Sequence, residues 1–171
     1  MNLSNLTEKK YINLKYVVYD IETLKNCFTC CFLDYDSKKK KEFVIHNSRN
    51  DFKDFIKFLI KLKQNNYYFV GFNNLFFDSQ ILQYIFEKRN IFEKLSADEI
   101  TSKIYEKTQE IIALQNLDDK YLYLISEWQQ IFPQIDLFKQ KHYDGKAKRG
   151  TSLKWIEFTI GFNNVEEMPI H

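Results

Sequence analysis

The chain has 171 residues, enough for one compact domain, and its 44% hydrophobic and 17% aromatic content with only 4 Gly and 2 Pro excludes a disordered chain or one built on long linkers. Its 25 basic and 23 acidic residues leave a formal charge of +2, so any attraction to nucleic acid must be local rather than a bulk electrostatic effect. The polar opening MNLSNLTEKK and the lack of any apolar run near the roughly 20 residues that span a bilayer point to a cytoplasmic chain with no membrane partner.

Tyr16 to Tyr19 is a β-branched and aromatic run that leads into Asp20, and Phe28 to Leu33 and Glu42 to His46 read as further short strands. The lysine run 38 to 41 is short enough to be a hairpin tip. From Asp51 to Lys63, Phe52, Phe55, Ile56, Leu59, Ile60 and Leu62 recur at helical spacing, with Asn50 or Asp51 suited to capping the start. Tyr67 to Gly71 is a compact strand-length run, and Ser79 to Arg89 resumes the helical period through Ile81, Leu82, Ile85 and Phe86.

Ser96 to Trp128 is expected to be mainly helical, opened by Ser96 and Glu99 as a capping box. Phe132 to Phe138 around Pro133 reads as a short last strand, and Ser152 to Ile160 as a helix closed by Gly161. Strands first in a meander and then separated by helices form the pattern of an α/β mixed sheet flanked by helices, and a ribonuclease H-like fold is the expectation.

Cys27, Cys30 and Cys31 are odd in number and lie in or beside a predicted strand with no second ligand pair, so buried reduced thiols are expected rather than a disulfide, zinc or redox site. Lys139, Lys141, His142, Lys146, Lys148 and Arg149 form the strongest basic stretch; it reads as a solvated loop, with phosphate contact as the alternative.

Two acidic elements carry the chemistry. Asp20 and Glu22 are two apart on a strand, so they share a face and Ile21 takes the other. Two carboxylates held together repel unless a cation lies between them, and oxygen ligands suit Mg²⁺ or Mn²⁺. An isolated pair of this kind is more often just the solvated end of a strand. The second element, Gly71-Phe72-Asn73-Asn74-Leu75-Phe76-Phe77-Asp78, leaves a strand and enters a helix, and it offers a third carboxylate with an amide four residues before it. Taken alone, Asp78 serves equally well as a helix cap, with Phe76 and Phe77 in the core.

Together, Asp20-Ile21-Glu22-Thr23 and Asn74-Leu75-Phe76-Phe77-Asp78 resemble the first two exonuclease motifs, D-x-E and N-x-x-(F/Y)-D, of the DEDD (DnaQ-like) superfamily. The likeness is greatest to proofreading domains of phage-like family B DNA polymerases and runs from about Tyr16 to the C-terminus. Phe132 to Phe138, bearing Asp136, resembles the family's late strand, and Thr151-Ser152-Leu153-Lys154-Trp155-Ile156 its S-L-K segment.

The resemblance implies a metal-dependent 3′-to-5′ exonuclease that acts on single-stranded DNA 3′ ends, with two Mg²⁺ or Mn²⁺ ions held by Asp20, Glu22 and Asp78. It implies contacts to the strand from Thr23, Leu24, Asn74, Phe77, Ser152, Leu153 and Lys154, and a polymerase domain as partner, in the cytoplasm of a bacterial host. A ribonuclease and a non-catalytic single-strand binding or protein-interaction module remain as alternatives on the same fold.

One part of the family's pattern is missing. The third motif, Y-x-x-x-D or H-x-x-x-x-D, should follow the S-L-K segment and does not. Tyr16 with Asp20 and His46 with Asp51 have the spacing but precede Asp78, and Phe132 with Asp136 lacks the phenol and falls too early. The expectation is therefore one exonuclease-like domain over 1–171, incomplete at its C-terminal end, completed by a C-terminal fragment or following domain, and feeble or inactive by itself.

Overall fold

In the computed structural model of the protein, residues 14–115, 124–141 and 153 are described. The chain opens with β1 (Lys15–Leu24), β2 (Cys27–Asp34), β3 (Lys40–His46) and the two-residue β4 (Arg49–Asn50), followed by α1 (Phe52–Gln64) and β5 (Tyr67–Gly71). After one 3₁₀ turn at Asn74–Phe76 come α2 (Asp78–Glu87), α3 (Arg89–Phe92) and α4 (Ala97–Gln115). The last described elements are a 3₁₀ turn at Glu127–Gln129, β6 (Gln134–Asp136) and α5 (Leu137–Lys141).

The strands form one six-stranded mixed sheet in the order β4-β3-β2-β1-β5-β6. β1 is antiparallel to β2 and parallel to β5, and β5 is parallel to β6. The first half is thus a hairpin meander, which short turns can connect, whereas each parallel pairing in the second half needs a longer crossover. Asp34 shapes the β2–β3 turn by accepting hydrogen bonds from the Ser37 amide and hydroxyl, both at 2.7 Å. Lys38 at φ 57° follows in that turn, so the lysine run does begin at a hairpin tip.

Alternation along the strands decides which face is covered. Val17, Tyr19 and Ile21 on β1, Phe28, Cys30 and Phe32 on β2, and Phe43 and Ile45 on β3 are buried, together with apolar residues of α1, α2 and α4. Phe55 of α1 meets Phe43 at 5.3 Å and Phe28 at 5.7 Å between ring centroids, and α4 lies across β1, β2 and β3. The opposite face carries exposed Val18, Asp20, Glu22, Cys31 and Glu42. Aromatic rings supply much of the core, and each contributes a large apolar area together with edge-to-face contacts.

Most predicted elements within the described residues are present, with three differences. β1 runs on to Leu24, because its hairpin with β2 continues through Glu22↔Thr29 to Leu24↔Cys27. α4 has the Ser96–Glu99 capping box and is described as far as Gln115, but Trp128 lies in a 3₁₀ turn rather than an α-helix, with 88% of its surface exposed. Ser126 and Gln129 open that turn with a capping box of their own, satisfying the free amides at its start. β6 stops at Asp136, whose carboxylate accepts the Phe138 amide at 3.0 Å and so turns the chain into α5. The helix expected over 152–160 lies outside the described residues except for Leu153, which is helical.

The thiols also divide differently from expectation. All three are free, but only Cys30 is buried; Cys27 is partly buried and Cys31 is exposed, because residues 27, 29 and 31 alternate onto the uncovered face. Among the described residues no helix is long and apolar enough to cross a membrane.

Phe69, with none of its surface exposed, touches Tyr19, Phe32 and Phe132 with ring centroids 5.5, 6.2 and 4.8 Å away, so it joins β1, β2 and the approach to β6. Phe69→Ala is expected to lower the unfolding free energy by about 3–5 kcal/mol in urea denaturation. A change below about 1 kcal/mol would mean that this ring is not central to the core.

Candidate functional site

The site begins with strand direction. Because β1 and β5 pair in parallel, with Val18 opposite Val70, both strands leave the sheet on the same side. Asp20 and Glu22 lie just beyond Val18 on β1, and the segment after Gly71 leads to Asp78 as the first residue of α2. The two acidic elements, distant along the chain, are therefore delivered to one edge of the sheet.

Asp20 and Glu22 are exposed on the uncovered face and Ile21 is buried on the other, the alternation expected of a pair two residues apart. Asp78 is partly buried, and the helix cap is the preceding Phe77, so Asp78 is not itself the cap. Its electrostatics report its neighbours. Burial, then the charge of Asp20 and, less strongly, that of Glu22 push the Asp78 carboxyl up to about 7, opposed by backbone amides at Asp78 and Ile21. Asp20 is also raised, chiefly by burial and against the Ile21 amide. A partly buried carboxyl feels its neighbours' charges in this way when they stand close by.

The loop between β5 and α2 is held from both sides. Asn73 takes a left-handed conformation, φ 59°, and the chain folds so tightly that a Cβ on Gly71 would lie 2.7 Å from Asn74 Cβ. Asn74 is only 1% exposed. Its Nδ2 donates to Gln134 Oε1 at 2.8 Å and to the Tyr19 hydroxyl at 3.3 Å, while that hydroxyl donates to the same Gln134 oxygen at 3.0 Å. Burial drives the Tyr19 phenol well above its ordinary value, so it stays protonated. Asn74 Oδ1 is buried with no hydrogen-bond partner, a costly state for a carbonyl oxygen.

The structure separates the expected strand-contact residues. Leu24 is 61% exposed and Thr23 partly buried at the end of β1. Phe77 is partly buried against the core. Asn74 faces inward, tying the loop to β1 and β6 rather than presenting its amide to solvent; the burial of its whole side chain, which motif spacing does not reveal, is the reason. Leu153 is 46% exposed, and Ser152 and Lys154 lie outside the described residues.

Sequence reasoning assigned no role to Gln134 and gave Asp136 no more than a place on a strand, although both reach the loop from β6. Period-two spacing places these two polar residues on one face of a short strand, and that is the signal available for them. Cys31 was expected to be buried, yet it stands opposite Asp20 in the β1–β2 ladder. Val18, Asp20, Cys31, Leu33, Lys40 and Glu42 border an open cavity of about 540 Å³ on this face.

The donor set is chemically suited to a hard divalent cation: three carboxylates, two of them held above the ordinary aspartate range. Yet among the described residues no group of three or more His, Cys, Asp or Glu side chains has the arrangement of a metal site. The charges of Asp20 and Glu22 reach Asp78, yet the three carboxylates are not gathered about one point. No protein-family model, curated protein or solved structure matches the chain.

The pH dependence of folding follows from Asp78. In the metal-free protein its neutral carboxyl contributes stability that is complete below about pH 4, where an unfolded aspartate also binds its proton, and is lost as the pH rises through about 7. Asp78→Asn is expected to flatten this dependence and to raise the unfolding free energy near pH 8 by on the order of 1–3 kcal/mol in urea with chelator present. Equal pH slopes in parent and variant would show that Asp78 is ordinarily solvated.

Proposed function

We propose that this chain is a DEDD-type 3′-to-5′ exonuclease domain of the proofreading kind, on a ribonuclease H-like fold, acting on single-stranded DNA ends as part of or partner to a DNA polymerase. The observation that carries the reading is the parallel pairing of β1 with β5, which delivers Asp78 to the sheet edge where Asp20 and Glu22 stand, residues that the two motifs had singled out on separate elements. The mixed sheet, antiparallel on one side of β1 and parallel on the other, is compatible with that fold.

Asp20, Glu22 and Asp78 would hold Mg²⁺ or Mn²⁺. When bound, two such ions supply activation of the attacking water and stabilisation of the leaving 3′ oxygen. The chain's own part is to assemble and orient. β1 presents Asp20 and Glu22 to the uncovered face, and α2 brings in Asp78, which keeps its proton up to about pH 7 until a cation compensates the neighbouring charges. Exposed Leu24 offers a terminal base an apolar contact, and Lys40 on the rim of the cavity offers a phosphate a positive charge. Asn74 braces the loop that carries Asp78.

One alternative on the same fold is a single-strand binding module without catalysis. Metal binding separates the two readings. Manganese titration followed by electron paramagnetic resonance is expected to show binding by the chain and a loss in Asp20→Ala no smaller than the roughly 10–100-fold known for outer-shell substitutions. Digestion of a 3′-labelled single-stranded oligodeoxynucleotide should be metal-dependent, feeble and absent in Asp20→Ala. Vigorous digestion dependent on Asp20 would mean that three carboxylates suffice. Strand binding that persists in chelator and is indifferent to Asp20→Ala, with no manganese bound, would sink the exonuclease reading. A ribo-oligonucleotide of the same sequence tests the sugar preference.

A further inference from the structure

We propose that Asp136 is a positioning residue for the candidate site, holding the loop over 72–77 in the one conformation that brings Asp78 toward Asp20 and Glu22. The proposal rests on the exonuclease reading for its function, but its geometry stands separately.

Asp136 is 5% exposed at the end of β6, a place where a carboxylate is costly unless its oxygens are used. They are used on backbone amides. Oδ1 accepts the Asn73 N–H at 2.8 Å and the Phe138 N–H at 3.0 Å, and Oδ2 accepts the Leu75 N–H at 3.3 Å. Two of these donors belong to the loop that ends in Asp78, and the third opens α5.

The reason a side chain is needed there lies in the sheet. Asp136 pairs with Gly71, the last residue of β5, so the ladder ends at this register position and the amides beyond it have no strand to bond. The loop then turns through left-handed Asn73, a conformation that an asparagine tolerates only at some cost. A carboxylate spanning the Asn73 and Leu75 amides holds that turn from outside. Gln134, two residues earlier and so on the same face of β6, accepts the Asn74 side-chain amide at 2.8 Å, giving the turn a second attachment to the same strand. A carboxamide at 136 has one acceptor oxygen and would face the remaining amide with a donor of its own.

The position acts through Asp78 and touches no substrate. In the folded parent chain, hydrogen exchange at the Asn73 and Leu75 amides should be slow. Exchange there as fast as in an open loop would overturn the proposal without any variant being made. In Asp136→Asn, the amide left facing a donor should exchange about tenfold faster while the amides of β1 and β2 keep their protection, the effect of losing one charge-assisted hydrogen bond. Paramagnetic broadening by Mn²⁺ provides the readout that mere stabilisation would not change. In the parent it should reach the amide signals of Asp20 and Asp78 alike; in Asp136→Asn it should persist at Asp20 and fade at Asp78.

Equal broadening at both residues in the variant, or a loss of protection spread evenly over the sheet, would overturn the positioning role. Broadening at neither residue in the parent would sink the metal reading and with it any catalytic purpose for Asp136, while local opening of the loop in the variant would still support the clamp itself.

Discussion

When two strands pair in parallel, their carboxyl ends leave the sheet on the same side, and in this chain that constraint determines where Asp78 can go. β1 carries Asp20 and Glu22 outward from its pairing with β5, and β5 releases the loop that reaches Asp78 on the same edge. An antiparallel arrangement of the same two strands would send the loop to the opposite edge and leave Asp78 without Asp20 as a neighbour. Everything chemical about the site follows from this single pairing, and the pairing is secured from within the core, where Phe69 of β5 lies against Tyr19 of β1 at 5.5 Å.

The same edge gathers interactions that oppose folding. An aspartate whose carboxyl titrates near 7 costs the folded chain a few kcal/mol above that pH, since the unfolded residue ionises freely. Asn74 leaves a buried carbonyl oxygen without a partner, and Asn73 occupies the left-handed region. Such costs persist in a marginally stable protein only where the surroundings over-determine them. Here the surroundings are the aromatic core beneath β1, β2 and β3 and the two polar anchors on β6. Unfavourable local chemistry concentrated at one edge, while local propensity, pattern and packing agree elsewhere, is the distribution expected of a working site.

β6 therefore has a part larger than its three residues. It extends the sheet by one short edge strand, which adds little burial, but Gln134 and Asp136 both reach across to the loop after β5. Through that contact the last described strand of the domain bears on the placement of a residue from its middle. Phe138 at the start of α5 packs its ring against Phe72 of the same loop at 5.6 Å, so the connection has an apolar side as well.

Much of this was legible in the sequence because it is local. The alternation of Val17, Tyr19 and Ile21 with Val18, Asp20 and Glu22 already separates a buried from an exposed face, and the spacing of Phe52, Phe55, Leu59 and Leu62 already describes a helix lying on a core. Two motifs were enough to single out Asp20, Glu22 and Asp78. What those patterns lack is any record of which strand lies beside which, and side-chain burial depends on that. Asn74 faces inward because Tyr19 and Gln134, from strands on either side of β5, meet it there. Cys31 is exposed because no described helix covers its face, and Asp136 ends a strand because the ladder beside it has run out at Gly71. Periodicity along a chain is set by the geometry of one backbone and can be read from it, whereas the use of a polar side chain is set by whatever the fold places opposite, and only the tertiary structure decides that.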